Sequence, residues 1–428
     1  MRFVHLLRPY WMVSLLLLLV MPQTRAGNHR LQKRPAVVAY FGQWGLYNNP
    51  PYTLGDLVRN GGAELLDQIN YAHASIKGGM CSIADPKADL ETVYTDANSV
   101  DGSSDDPASS FRGYFHQLQE LKQRYPTLKV LISLEGAPAD FREAALPEQR
   151  RAFVTSCVDL FLRGHFAPGI VEPGIFDGID VNWEFPQAQD AENFHGLLKE
   201  FRRQMNHVRR GMKLTIAVGD QPQMQPGTDF RKIARLVDEL GIMNYDYAGP
   251  WNGTTGFVAP LFRRTDTPRH FGSIAESIEA YQRAGVPSRK LLMGIPFYGY
   301  QWHSVSAANN GLYQRGKGVS EDRPYRYIHG LQNAYSLFRD PDSQAPWLFD
   351  GSNFWTFEDP ISIGYKASYA ARRGLGGIMI WELGEDTAEA TLLTAASRSL
   401  RQPWTATLDE ETVSDLPPAT ESDVSTSR

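Results

Sequence analysis

The chain has 428 residues, 42% apolar and 21% charged, with a formal net charge of −5. That is a globular composition, long enough for one large domain or for two to three ordinary ones. The acidic balance argues against a phosphate-binding surface, so no nucleic-acid partner is expected.

The first 26 residues read as a signal peptide. Arg2 and Arg8 give a basic start, and Thr24-Arg25-Ala26 offers a cleavage site before Gly27. Between them, Trp11 to Met21 is apolar over about ten residues, too short to span a bilayer. Cleavage removes Arg2, Arg8 and Arg25 and no acid, which takes the charge to −8. A secreted monomer is expected, extracellular or periplasmic, with no membrane attachment after cleavage. Only two cysteines occur, Cys81 and Cys157. Cys157 sits in the helical apolar pattern Ala152 to Val158, and a buried free thiol is expected there rather than a bridge. No Cys/His cluster has metal-ligand spacing, and neither a metal nor a cofactor is expected.

From residue 36 onward, short β-rich runs alternate with longer amphipathic stretches. The predicted strands are 36–41, 68–75, 129–133, 176–184, 213–218, 241–245, 290–296 and 377–381. Between them the helical stripes start at Phe111, at Pro147 (where a missing N–H costs nothing at the first turn) and at Phe194. The Phe194 stripe runs through Leu197, Leu198, Phe201, Met205 and Val208. A fourth stripe is Phe230, Ile233, Leu236, Val237 and Leu240. These are core faces. Eight strand–helix units across residues 27–401 predict a single (β/α)8 barrel. No Gly-rich phosphate loop follows the first strand, which removes support for a doubly wound sheet. The longest gap, 298 to about 354, predicts a large loop or small insertion between strands seven and eight over the barrel mouth. Residues 402–428 are rich in Thr, Ser, Asp, Glu and Pro and read as a disordered tail.

Barrel enzymes carry their chemistry at the C-terminal ends of the strands. The fourth run reads Asp177-Gly178-Ile179-Asp180-Val181-Asn182-Trp183-Glu184. Side chains alternate along a strand, so Asp180, Asn182 and Glu184 share one face and end at the rim. Such a row is costly unless its members bond one another, and it makes the outermost carboxyl a proton donor. The other strand ends contribute Tyr40, Ser133 with Glu135, Tyr245 with Asp246 and then Trp251, and Trp381. Aromatics and hydrogen-bonding groups around one carboxylic acid suit a sugar.

These segments together resemble glycoside hydrolase family 18, the chitinases and their relatives. Asp177–Glu184 is similar to the family pattern DxxDxDxE except at its third Asp. Ser133–Gly136 stands where the family has SxGG. Met243-Asn244-Tyr245-Asp246 matches MxYD, and 294–299 and 376–381 match the strand-seven and strand-eight signatures. The resemblance implies a chitinase-like glycosidase acting on β-1,4-linked N-acetylglucosamine polymers, with Glu184 as acid and then base. The nucleophile would be the substrate's own acetamido oxygen, for which this family is a named exception to the two-carboxylate scheme. It further implies that Tyr245 bonds the acetamido oxygen and Asp246 positions the same sugar. Trp381 would form the floor beneath it. Tyr40, Ser133 and Asp180 would hold the inner polar network, and Trp251 would stack on a neighbouring sugar.

Two departures stand out. Asn182 replaces the family's third Asp, and an amide accepts a hydrogen bond but does not titrate. Glu135 occupies a Gly position. By the two-residue period Glu135 shares the inward face of Ser133, which leaves two readings open: a negative charge displaced from position 182 to the neighbouring strand, or a side chain that tips outward to water or a basic group. Asn182 also keeps open a second reading, a weakly active or non-catalytic chitin-binding lectin on the same fold.

Overall fold

The computed structural model describes residues 34–402. The expected signal peptide lies outside the described residues, as does the expected tail beyond Gln402. Eight parallel strands close into a barrel: β1 (Ala36–Gly42), β2 (Gln68–Lys77), β3 (Lys129–Glu135), β4 (Gly178–Asn182), β5 (Lys213–Val218), β6 (Glu239–Ile242), β7 (Leu291–Pro296) and β8 (Gly377–Trp381). Closure is explicit, since β1 pairs in parallel with both β8 and β2. A helix follows each strand, from Leu54–Arg59 after β1 to Thr391–Arg401 after β8.

The alternation of side chains sorts the strands into two packing zones. Val37, Ala39 and Phe41 of β1 face out into the layer between sheet and helices. Ala36, Val38 and Tyr40 face in, where they meet Ala72, Leu292 and Met379. On β4 the same rule sends Ile179 and Val181 outward, and so leaves Asp180 and Asn182 inside. The helix Ala191–Val208 buries Phe194, Leu197, Leu198, Phe201 and Met205, one apolar stripe at helical spacing. Thr53 and Asp359 each form a capping box at the start of their helices, and Pro360 stands at the first turn of its own.

Several boundaries differ from expectation. The Pro147 helix begins only at Arg150, with Pro147 in the preceding turn. The stripe from Phe230 to Leu240 is two elements: the helix stops at Leu236, and Leu240 belongs to β6. Apolar residues at i, i+3 and i+4 do not distinguish one long helix from a short helix running into a buried strand. Consequently β6 ends at Ile242 and β4 at Asn182, so Tyr245, Asp246 and Glu184 stand on the loops just beyond their strands. The expected insertion is an antiparallel sheet that starts directly after β7 with Tyr298–His303. That strand pairs with Phe354–Thr356, which pairs with Pro346–Phe349, and this in turn with Ser336–Arg339.

The thiol expectation is wrong. Cys81 and Cys157 form a disulfide, with Cα atoms 4.9 Å apart and a sequence separation of 76. Cys157 is buried at the end of the helix Arg150–Cys157, as its pattern implied. The short strand Met80–Ile83 pairs back on β2 and brings Cys81 to it. The amide of Cys81 donates to Ser156 Oγ at 2.9 Å. A helical apolar pattern says that a cysteine points inward; it says nothing of what it meets there. No helix among the described residues is long and apolar enough to cross a membrane.

Candidate active site

The inward polar row of β4 is built from hydroxyls. Asp180 is buried, and its Oδ2 accepts from Tyr40 Oη at 2.8 Å and from Ser133 Oγ at 2.9 Å. Its Oδ1 accepts from Thr215 Oγ1 at 2.5 Å. Strands β1, β3 and β5 thus each contribute one donor. Burial raises the carboxyl's pKa, and the three hydroxyls pull the other way.

Above Asp180 sits Asn182, also buried. Its side chain hydrogen-bonds Glu184. A carboxylate only accepts, so the amide nitrogen is the donor. Asn182 Oδ1 is left buried with no hydrogen-bond partner. Glu184 opens to solvent at the mouth, yet its pKa is raised. Desolvation by the surrounding wall is the main cause, with the negative charges of Glu135 and Asp246 adding to it and the Asn182 bond opposing.

Glu184 and Asn182 line a pocket of about 220 Å³ with Tyr40, Tyr245, Asp246 and Trp381. Trp381 lies across its inner end, tilted on Tyr40 at 5.1 Å between ring centroids. Asp246 has φ 63°, in the left-handed region that Asp tolerates better than most residues. Its Oδ1 accepts from Tyr298 Oη at 2.7 Å and Tyr300 Oη at 2.9 Å, both from the first strand of the insertion. Burial raises Asp246 as well, against those two bonds.

Of the residues singled out from sequence, Tyr40, Asn182, Glu184, Tyr245, Asp246 and Trp381 line this one pocket, with Ser133 and Asp180 immediately behind it. Trp251 does not line it. It is 61% exposed, and its ring folds back over Gly249, where a Cβ would stand only 2.2 Å away, to meet Tyr300 edge-on at 5.3 Å. Three polar pocket residues escaped the sequence reading, Tyr298, Tyr300 and Asp322, along with the apolar Ala217, Met243 and Met379. Tyr298 lies inside the strand-seven signature and could have been found there; Asp322 carries no local signal. The lining includes no lysine or arginine. Elsewhere, Asp105, His116 and Glu120 cluster, but the two carboxylates take opposite nitrogens of the imidazole, at 3.1 and 3.5 Å.

A closed barrel with a hydroxyl-held carboxylate under a rim acid defines a glycosidase-type site. The chain belongs to the glycosyl hydrolases family 18: residues 36–386 match that family's profile. It is 31% identical over 369 residues to chitinase C of Streptomyces lividans, covering 82% of this chain and 57% of that one. The chain spans 56 to 60% of the length of the Streptomyces and Niallia chitinases it matches. Among solved structures, the catalytic domain of psychrophilic chitinase B from Arthrobacter TAD20 superposes with a TM-score of 0.79 at 28% identity, over 86% of this chain and 95% of that one. A family 18 N-acetylglucosaminidase from Paenibacillus barengoltzii gives 0.68 at 27% identity, over 86% and 100%.

Proposed function

We propose that this chain hydrolyses β-1,4-linked N-acetylglucosamine polymers, chitin or its soluble oligomers, with retention at the anomeric carbon. The observation that carries the proposal is Glu184: a rim carboxyl of raised pKa, touched by an amide and by no cation, beside an aromatic floor. The chitinases to which the chain is similar support the substrate class.

In this mechanism Glu184 gives its proton to the glycosidic oxygen as the C1–O bond breaks. The carbonyl oxygen of the sugar's own acetamido group bonds to C1 from the opposite face, closing an oxazolinium ring. Asn182 Oδ1, a buried acceptor without a partner, takes the acetamido N–H, so ring closure relieves an unsatisfied group. Tyr245 donates to the acetamido oxygen, and Asp246, held by two tyrosines, orients the sugar over Trp381. Glu184, now a carboxylate, deprotonates a water that attacks C1 from the face the leaving group vacated. The ring opens and the acetamido group is restored. Asp180 touches no substrate; it keeps the column in register through Tyr40, Ser133 and Thr215. Trp251 offers its exposed ring to a neighbouring sugar.

Asn182 also favours a second reading, glycan binding with little or no turnover, because a non-titrating amide cannot exchange a proton with Glu184. One experiment separates the two: incubation with soluble N-acetylglucosamine oligomers, products followed by mass and their anomeric form by proton NMR. Newly formed β-anomer supports hydrolysis with retention, and intact oligomers that still bind support the lectin. The Cys81–Cys157 bridge supports secretion, since disulfides persist in oxidising compartments.

A further inference from the structure

We propose that His73 and Glu135 form a dyad that tunes Glu184, in which a buried imidazole set against the Glu135 carboxyl fixes where that acidic group stands beside the acid and adds no opposing charge of its own. The proposal rests on the reading of Glu184 as the acid, and it makes Glu135 a positioning residue rather than a catalytic one.

The geometry begins with the register. Glu135 is the last residue of β3 and stands opposite Asn182 on β4, two residue pairs beyond Ser133 and Asp180 and so on the same face. On its other side Glu135 stands opposite Ser75 of β2, and the β2–β3 register slips between Ala72 and Ala74. His73 is the residue thrown out of the ladder there, which re-aims its side chain. Its Nε2 lies 3.1 Å from Glu135 Oε2, with the imidazole 8% exposed and the carboxylate 55% exposed.

This contact sets Nε2 against the Glu135 carboxyl, while Nδ1 is buried with no hydrogen-bond partner. The ring packs against Trp44, at 5.8 Å, and Trp381, at 6.0 Å, which also touch each other at 6.0 Å, so the three rings form a triangle. Gly42 makes room for this stack, since a Cβ there would stand 2.3 Å from the Trp44 ring. Burial lowers the His73 pKa to about 4, so the imidazole stays neutral above that pH. A lysine or arginine in this place would pull the Glu135 pKa down and cancel its charge; with a neutral imidazole there instead, burial raises the Glu135 carboxyl and no cation offsets its negative charge when ionised.

The groups facing Glu184 are Asn182 from the end of β4, Glu135 from β3, and Tyr245 and Asp246 from the loop after β6. Asp246 is already engaged by two tyrosine hydroxyls. Position 182, where the family pattern carries charge, is an amide. Glu135 restores the missing negative charge from the adjacent strand, and Trp381 joins the dyad to the pocket floor.

The test is the pH profile of kcat/KM on a soluble N-acetylglucosamine oligomer, with melting temperatures to check folding. Activity needs protonated Glu184, so it falls as pH rises through the acid's pKa. Glu135→Gln removes a charge that raises this pKa. The alkaline limb should move down by about half to one pH unit, a three- to tenfold loss on that side only, since one unit is tenfold. KM should hold. His73→Phe should move the limb in the same direction, and His73→Gln, which keeps a donor, should restore it. Asn182→Asp in the Glu135→Gln background should bring the limb back up. An unmoved limb in Glu135→Gln, or an equal loss at every pH, overturns the dyad. The midpoint of the Glu184 carboxyl, followed by ¹³C NMR and assigned with Glu184→Gln, reads the same coupling without turnover. A wild-type chain that hydrolyses nothing would refute the proposed function, while this midpoint still decides on the dyad.

Discussion

Two ends of the same stretch of chain treat their carboxylates in opposite ways. Just before β4, Asp177 is surrounded by cations: Lys122 Nζ at 2.5 Å, Arg209 Nη2 at 3.2 Å and Lys129 Nζ at 3.7 Å. The amide of Val130 also donates to it. At the same end of the barrel, Lys213 Nζ bonds Glu239 at 2.7 Å and Gln68 at 2.5 Å. From the third residue of β4 onward the partners change. Asp180 has three hydroxyls, Glu184 an amide, and Asp246 two phenols. Cations make a carboxylate an anchor, while neutral donors leave it able to trade a proton. This is the division of labour of the barrel fold, stability at one face and chemistry at the other.

The comparison can be broken by exchanging symptoms. Glu184→Gln should cut kcat by ~100- to 10,000-fold, the usual worth of a general acid–base, with the melting temperature unchanged. A Glu184→Gln enzyme as fast as wild type would end the acid assignment. Asp177→Ala should do the converse. It strands three cations and lowers stability by roughly 3 kcal/mol, the low end for breaking a buried pair, while kcat of the folded fraction stays put. Chemical denaturation and active-site titration on one sample would show whether the two losses separate.

Two smaller effects sharpen the picture at the mouth. Trp381→Ala should weaken short oligomers by roughly 1–2 kcal/mol from lost apolar burial, read by calorimetry in the Glu184→Gln background. A variant that does not fold would assign Trp381 to the core instead. Beyond β8, burial raises Glu382 to about 7 and Asp386 to about 6. The folded chain therefore holds protons that the unfolded chain releases above about pH 4. This part of the stability is complete below that pH and is lost as pH rises through the folded values. The melting temperature should be higher at about pH 5 than at about pH 8, and Glu382→Gln should flatten the difference. An equal slope in both chains would mean that Glu382 is charged when folded.

The barrel was legible because strand alternation and helical stripes are local signals. The row Asp180, Asn182, Glu184 follows from the two-residue period alone, and Glu135 opposite Asn182 follows from Ser133 opposite Asp180. What was hidden depends on contacts remote in sequence. Cys81 reaches Cys157 through a hairpin that no helical pattern reveals. His73 meets Glu135 only because the β2–β3 register slips. Asp322 enters the pocket from the insertion, far from any strand end of the barrel. Leu240 has the right spacing for a helix and lies in a strand because the chain turns at Val237.

Tyr298 and Tyr300 have a consequence for anyone re-engineering this scaffold. The insertion that begins with them looks like a removable module, attached at two points between β7 and β8. Yet its first strand supplies both donors that hold Asp246. Excising it, or grafting another in its place to change which glycans fit, would orphan a residue rooted in the barrel. If Asp246 orients the sugar as proposed, specificity and reactivity are inherited as one block, and a successful chimera must carry the phenol pair across with its graft.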